Sequence, residues 1–243
     1  MDNAAMLARL ASDGAALREA AVELDKPVPA CPGWTVRDAV EHTAVVYAHK
    51  STIIENDLDG PPDDWPPEFH YADVLDFYDE QLHRVIEALR TRAPSVRVGT
   101  WYEPDQTVGF WVCRMMQETV VHRADVESAS APPARIDAEV AIDGIDEFVE
   151  RMLCYDTEAY SDAPGSGQRV AIEAGDAGWT VTLGPRAATF VREIDASADA
   201  RMSGDPSDVL LALWNRLPYD VLSTNGDAGA LAALRAAAVA TTQ

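Results

Sequence analysis

Cationic side chains are scarce in this sequence: 19 Lys and Arg stand against 41 Asp and Glu in 243 residues, a formal net charge of −22. A surface of that sign repels nucleic-acid phosphates and anionic lipid headgroups, so neither is expected as a partner. Long apolar runs are missing as well; none approaches the ~20 residues that cross a bilayer. The N-terminal stretch carries Asp and Glu and lacks the basic-then-apolar pattern of a secretory leader, so a cytoplasmic protein is expected. Cysteine is sparse. Cys31, Cys113 and Cys154 are odd in number, far apart and without a C-x-x-C pair, which argues against a disulfide framework and a cysteine-based zinc site.

The first two-thirds of the chain is patterned for helices. Over residues 3–24, Leu10, Leu17 and Leu24 recur every seventh position among alanines. The segment PVPACPG at 27–33 breaks that pattern, and a second helix is predicted from Thr35, an N-cap with Asp38 in the capping-box position. Asp is a weaker reciprocal partner there than Glu or Gln. Val36, Val40, Tyr47 and Ile54 share one face of this helix, Ala39, Val46 and Ile53 the adjoining one, and His42 stands at the border of the apolar arc. A Pro- and Asp-rich loop over 57–67 leads to a third helix over 71–92, striped by Val74, Tyr78, Leu82, Val85 and Leu89. A fourth runs over 107–128 and a fifth over 137–158.

The texture changes at the turn-rich linker 161–167. Short strand-like segments follow at 169–174, 178–183, 188–194 and 200–203, then a helix at 206–216, a short strand at 221–223 and a closing helix at 228–238. The expected fold is mostly α: a four-helix bundle over 1–160 and a small α+β domain over 168–243.

The fourth helix carries the chemistry. Glu118 and His122 are four apart and stack on one face, shared with Trp111, Met115 and Val121. An ionised carboxylate among apolar groups costs several kcal/mol, by order of magnitude, unless something compensates it. Two compensations are open on spacing alone: a bound cation, with a third ligand such as His42 from a facing helix, or an ion pair with Arg114 one turn earlier. His42 read alone is as well a core histidine. His49 lies seven residues from His42, two turns or ~10.5 Å along the helix, too far to share one ion but placed to line the same cavity.

Four segments carry a resemblance. VPACPGWTVRDAVEH over 28–42 and MQETVVHRAD over 116–125 resemble the two helical signatures of the mycothiol-dependent maleylpyruvate isomerase family, within the DinB-like superfamily. AIDGIDEF over 141–148 resembles a third signature, and SGDPSDVLLALWNR over 203–216 resembles the family's sterol-carrier-like C-terminal domain. The resemblance implies a DinB-like bundle and places the family's metal ligands on His42, Glu118 and His122. Zinc is the default ion for two imidazoles and a carboxylate, and nickel is compatible. It further implies mycothiol as cosubstrate and a small-molecule electrophile as substrate, in a monomer or small homo-oligomer.

The expected chemistry is addition of a thiolate to a cis-enone acid, rotation about the resulting single bond, and elimination to the trans isomer; other electrophiles would give thiol transfer. An anionic substrate needs a local cation, for which Arg216 is the first candidate and Arg114 the second. Trp34 and Trp111 are candidate pocket walls, and packing explains them equally well. Asp125 is placed either to orient His122 or to cap the solvent side. The competing reading is a non-catalytic small-molecule-binding protein with a structural metal, or a DinB-like scaffold without activity.

Overall fold

The computed structural model describes residues 1–62 and 65–242. Of the loop expected over 57–67, residues 63 and 64 lie outside the described residues. The chain divides into two units, Met1–Ala134 and Arg135–Gln243.

The first unit holds α1 (Asn3–Ala20), α2 (Val36–Glu55), α3 (Val74–Arg90) and α4 (Val108–Ser128). All four start at a side-chain cap, Asp2, Thr35, Asp73 and Thr107. The Thr35 hydroxyl accepts the Asp38 N–H at 3.3 Å, and the Asp38 carboxylate accepts the Thr35 N–H at 2.7 Å, so the reciprocal box forms with Asp in place of Glu. Asp73 accepts the Leu75 N–H and Thr107 the Phe110 N–H as single side-chain caps of α3 and α4. Helix α1 ends at Ala20, short of the expected residue 24. The next residues are diverted: the Leu24 and Lys26 carbonyls accept N–H groups of Arg37 and Val36, tying this segment to the start of α2.

Helix α1 packs on α4 and α3, and α2 packs on α3 and α4, giving the expected bundle. Leu10 and Leu17, Val40, Tyr47 and Ile54, and Tyr78, Val85 and Leu89 fill it. Helix α4 departs from an amphipathic pattern. It is buried almost throughout, and with it go Arg114, Gln117, Glu118, Thr119, His122, Arg123 and Asp125. Polar groups at that depth require partners. Thr119 meets the Tyr47 hydroxyl at 2.6 Å, and Arg123 donates to Asp13 at 2.6 Å.

The second unit begins earlier than the turn-rich linker suggests, because α5 (Ala138–Glu147) and the π-helical turn Phe148–Leu153 are built into it. The Ile136 N–H donates to the Ser207 hydroxyl at 3.1 Å, the Trp179 indole donates to Asp146 at 2.7 Å, and Phe148 meets Trp214 edge-on. Beyond the short α6 (Thr157–Tyr160), a five-stranded sheet runs in the order β3-β2-β1-β4-β5, from β1 (Gln168–Ala174), β2 (Ala177–Leu183), β3 (Ala188–Val191), β4 (Ala200–Gly204) and β5 (Ser223–Gly226). Only β1 and β4 pair in parallel. The register places Val170 and Ile172 beside Val181 and Trp179 on one side and Ala200 and Met202 on the other, all on one buried face. Against the sheet pack α7 (Pro206–Leu213) and α8 (Ala228–Thr241). Helix α7 stops three residues before the expected end because Asn215 turns left-handed (φ 62°) and the Arg216 N–H bonds back to the Leu211 carbonyl. Residues 219–221 form a 3₁₀ turn, and the strand expected there begins at Ser223. Among the described residues no helix is long and apolar enough to cross a membrane.

Candidate metal centre

Helix α4 delivers Glu118 and His122 one turn apart, and the capped N-terminal half of α2 delivers His42 to the same point. Glu118 Oε1 lies 3.4 Å from His42 Nε2 and 3.2 Å from His122 Nε2, and the three candidate ligand atoms all fall within 4.8 Å of one another. Both compensations left open by the spacing are present together. Glu118 turns its other oxygen, Oε2, to the Arg114 guanidinium, and keeps Oε1 for the imidazoles.

The histidine orientation is fixed from behind. His122 Nδ1 sits 3.0 Å from Asp125 Oδ2, and Asp125 is fully buried, so the Nδ1–H is donated to the carboxylate and Nε2 faces the cluster. Asp125 thus takes the orienting role of the two open to it. Trp34 stacks nearly parallel to His122 (18°, centroids 6.2 Å apart) and leans on His42 at 4.9 Å. Its ring walls the cluster.

Electrostatics set the resting state of these groups. Burial would raise the Glu118 carboxyl, but the Arg114 guanidinium and His122 together hold it well below the usual carboxylate range. Burial would lower His122; the Glu118 and Asp125 carboxylates overcome it and push the imidazole up to about 9. Without a cation the cluster is therefore an ion-paired network of His122⁺, Glu118⁻ and Arg114⁺.

The cluster is buried at two of its three residues and open at the third. Glu118 and His122 are buried, while the His42 side chain is 40% exposed. It faces a depression of about 470 Å³ lined by Gly33, Trp34, Asp38, Glu41, His42 and Val45. The donor set fits a small divalent cation. Ligand atoms at about 2.0–2.2 Å from a tetrahedral centre stand roughly 3.3–3.6 Å apart, close to the separations that Glu118 Oε1 makes with the two imidazoles. Three protein ligands and one open side leave a position for an exogenous group.

The remaining candidates divide. Trp34 belongs to this cluster. Arg114 is buried and committed to Glu118. His49 and Trp111 line a second cavity, with Lys50 between them. The Trp111 indole donates to the Gly99 carbonyl at 3.0 Å. Arg216 lies in the second unit, half-buried, and donates to the Trp214 carbonyl at 2.8 Å. Sequence reasoning passed over Lys50 and Glu41. Lys50 carried one usable signal: it follows His49 on the edge of the same apolar arc.

Comparisons with known proteins agree with this layout. The model described as the mycothiol maleylpyruvate isomerase N-terminal domain matches residues 4–127, and the one described as the C-terminal domain of the same family matches residues 139–233. A crystal structure of a mycothiol-dependent maleylpyruvate isomerase superposes with a TM-score of 0.68 at 12% identity, covering 93% of this chain and 95% of that one. A histidine-to-alanine variant of such an isomerase gives a TM-score of 0.64 at 11% identity, with the same coverage. At these identities the superpositions speak for the fold. No curated protein matches the chain.

Proposed function

Because this chain belongs to the mycothiol maleylpyruvate isomerase family, whose two domain models it matches in order, we propose that it is a thiol-dependent metalloenzyme acting on a small electrophile. His42, Glu118 and His122 hold a divalent cation in this reading, zinc by default and nickel as a compatible alternative. Mycothiol is the thiol the family name supplies. The observation that carries the proposal is the divided carboxylate of Glu118, one oxygen on a guanidinium and the other at metal-ligand spacing from two imidazoles.

A divalent cation bound there lowers the pKa of a coordinated thiol, ordinarily ~8.5, so that thiolate persists at neutral pH. The protein groups divide the remaining work. Asp125 keeps the His122 proton on Nδ1, and Arg114 offsets the Glu118 charge in the buried interior. Trp34 walls the mouth of the cluster beside His42, and the exposed edge of His42 marks the side from which thiol and electrophile enter. A thiolate that adds to a cis-enone acid turns the double bond into a single bond and leaves an enolate. Rotation and elimination then return the trans acid and the thiol unchanged. With an electrophile that carries a leaving group, the same thiolate attack gives thiol transfer.

The test is metal content and thiol dependence measured together. About one divalent ion per chain is expected after mild purification, and Glu118→Gln loses most of it. Turnover of a maleylpyruvate-type acid is expected only with mycothiol or a close analogue. Full metal content in Glu118→Gln refutes the ligand assignment, and equal rates without thiol refute the coenzyme role. A metal-replete protein inactive toward every electrophile tried favours a binding protein with a structural metal.

A further inference from the structure

Lys50 is one of only two lysines in a chain with 41 carboxylate side chains. The other, Lys26, pairs with Glu23, and Arg84, Arg92 and Arg123 each take a carboxylate. Among the described residues no carboxylate lies within ion-pair distance of Lys50. Its ammonium sits 4.8 Å from the centroid of the Trp111 ring and donates to His49 Nδ1 at 2.7 Å. Among the described residues Lys50 is thus a largely buried cation without a carboxylate at ion-pair distance, drawn only at longer range by Glu118.

The group borders a cavity of about 280 Å³ within the first unit. Ile53, Pro61, Trp101 and Trp111 supply apolar walls, two of them flat indoles, and among the described residues Lys50 is the one cation lining it. The volume lies just below the ~300–1,000 Å³ typical of small-molecule pockets and suits a molecule of a few carbons. His49 accepts the lysine hydrogen bond on Nδ1, so its own proton lies on Nε2. Burial and the neighbouring ammonium hold His49 down to about 4, so it is neutral at working pH. Burial draws the Lys50 amine down to about 8, against the pull of Glu118 and with the push of Arg114. An anion placed in the cavity relieves that desolvation.

We propose that this cavity binds the carboxylate of a small, planar, unsaturated acid, with Lys50 as the anion anchor and the Trp101 and Trp111 rings flanking its conjugated chain. In the thiol-dependent reaction that acid is the electrophile; this identification rests on the reading above, whereas the binding does not. The anchor lies eight residues past His42 on α2, about 12 Å along the axis, and Trp111 lies seven residues before Glu118 on α4, about 10.5 Å along it.

Sorbate, a six-carbon dienoic acid, is the probe, and sorbamide is its uncharged control. Binding to the full-length metal-loaded protein is followed through the indole N–H resonances. Sorbate is expected to shift the Trp101 and Trp111 signals saturably, and sorbamide to bind at least tenfold more weakly. Lys50→Met is expected to weaken sorbate at least tenfold, and Lys50→Arg by no more than a few-fold. His122→Ala is expected to lose metal and keep sorbate affinity. Equal affinity for sorbate and sorbamide overturns the proposal, and that comparison stands on wild-type protein even where Lys50→Met fails to fold. Sorbate lost in His122→Ala but kept in Lys50→Met also overturns it, because the acid then sits on the metal; that outcome leaves the metal assignment intact. A wild-type protein without metal defeats the metal assignment and leaves the sorbate result to stand on its own.

Discussion

Arg114 and Glu118 form a buried ion pair one turn apart on α4, and the pair leaves one carboxylate oxygen free to face His42 and His122. The guanidinium makes a buried anion tolerable before any cation arrives. Arg114→Met removes that compensation, and breaking a buried pair from one side costs about 3–5 kcal/mol. Metal-free Arg114→Met is expected to lose stability of that order in urea unfolding, and zinc is expected to restore more stability to it than to wild type. Unfolding curves that coincide with wild type would remove Arg114 from this role.

Asp125 holds the ligand tautomer of His122 from a fully buried position. Asp125→Asn keeps the volume and removes the charge. Its metal affinity is expected to fall about 10- to 100-fold, as for other partners of ligand histidines, with the circular dichroism spectrum unchanged. Competition against a chromophoric chelator measures it.

Metal uptake and proton release are coupled. His122 is raised to about 9 in the metal-free protein, so below that pH it holds a proton that a cation must displace. Between pH 7 and 8 binding is expected to release close to one proton. The apparent affinity is expected to rise with pH and to level off as pH passes about 9. Calorimetry in buffers of different ionisation enthalpy reads the proton count directly. A count near zero at pH 7 would contradict the ion-paired resting state.

Gly99 sits where two loops touch. A Cβ there would meet the Asp59 carbonyl carbon at 2.2 Å and the Gly60 nitrogen at 2.4 Å, backbone atoms with no rotamer to escape into. Gly99→Ala is therefore expected to cost about 1–3 kcal/mol. It should also disturb the Trp111 hydrogen bond to the Gly99 carbonyl, seen as a shifted indole resonance. Metal content should hold, because His42, Glu118 and His122 stand on helices outside that contact.

Lys50 carries a stability cost of its own. Its folded value of about 8 lies below the ordinary 10.5, so between those pH values the unfolded chain binds more protons. The penalty is full below about 8 and fades as pH rises toward 10.5. Lys50→Met is expected to raise Tm by a few degrees at pH 7 and to gain nothing above pH 10.5. A lower Tm at pH 7 would show the ammonium to be stabilising.

The sequence by itself determined the features that depend on near neighbours in the chain. Thr35 with Asp38 and Thr107 at the head of α4 start their helices through bonds that span three residues. The E-x-x-x-H spacing put Glu118 and His122 on one face for the same reason, since a helix repeats its own geometry. Pattern also carried the family resemblance and the strands with their buried face. Only the tertiary structure decided what depends on residues remote in sequence. It brought His42 to Glu118, and it let Arg114 take one oxygen while the imidazoles took the other, where spacing alone had posed a choice. It drew α5 into the second unit through Asp146, Phe148 and Ser207, although the turn signals lay later in the chain. Among the described residues it also left Lys50 without a carboxylate at ion-pair distance. The periodicity of a single helix reports which face is apolar; the groups that meet a given side chain are set by how helices pack, and that packing is invisible to any one segment.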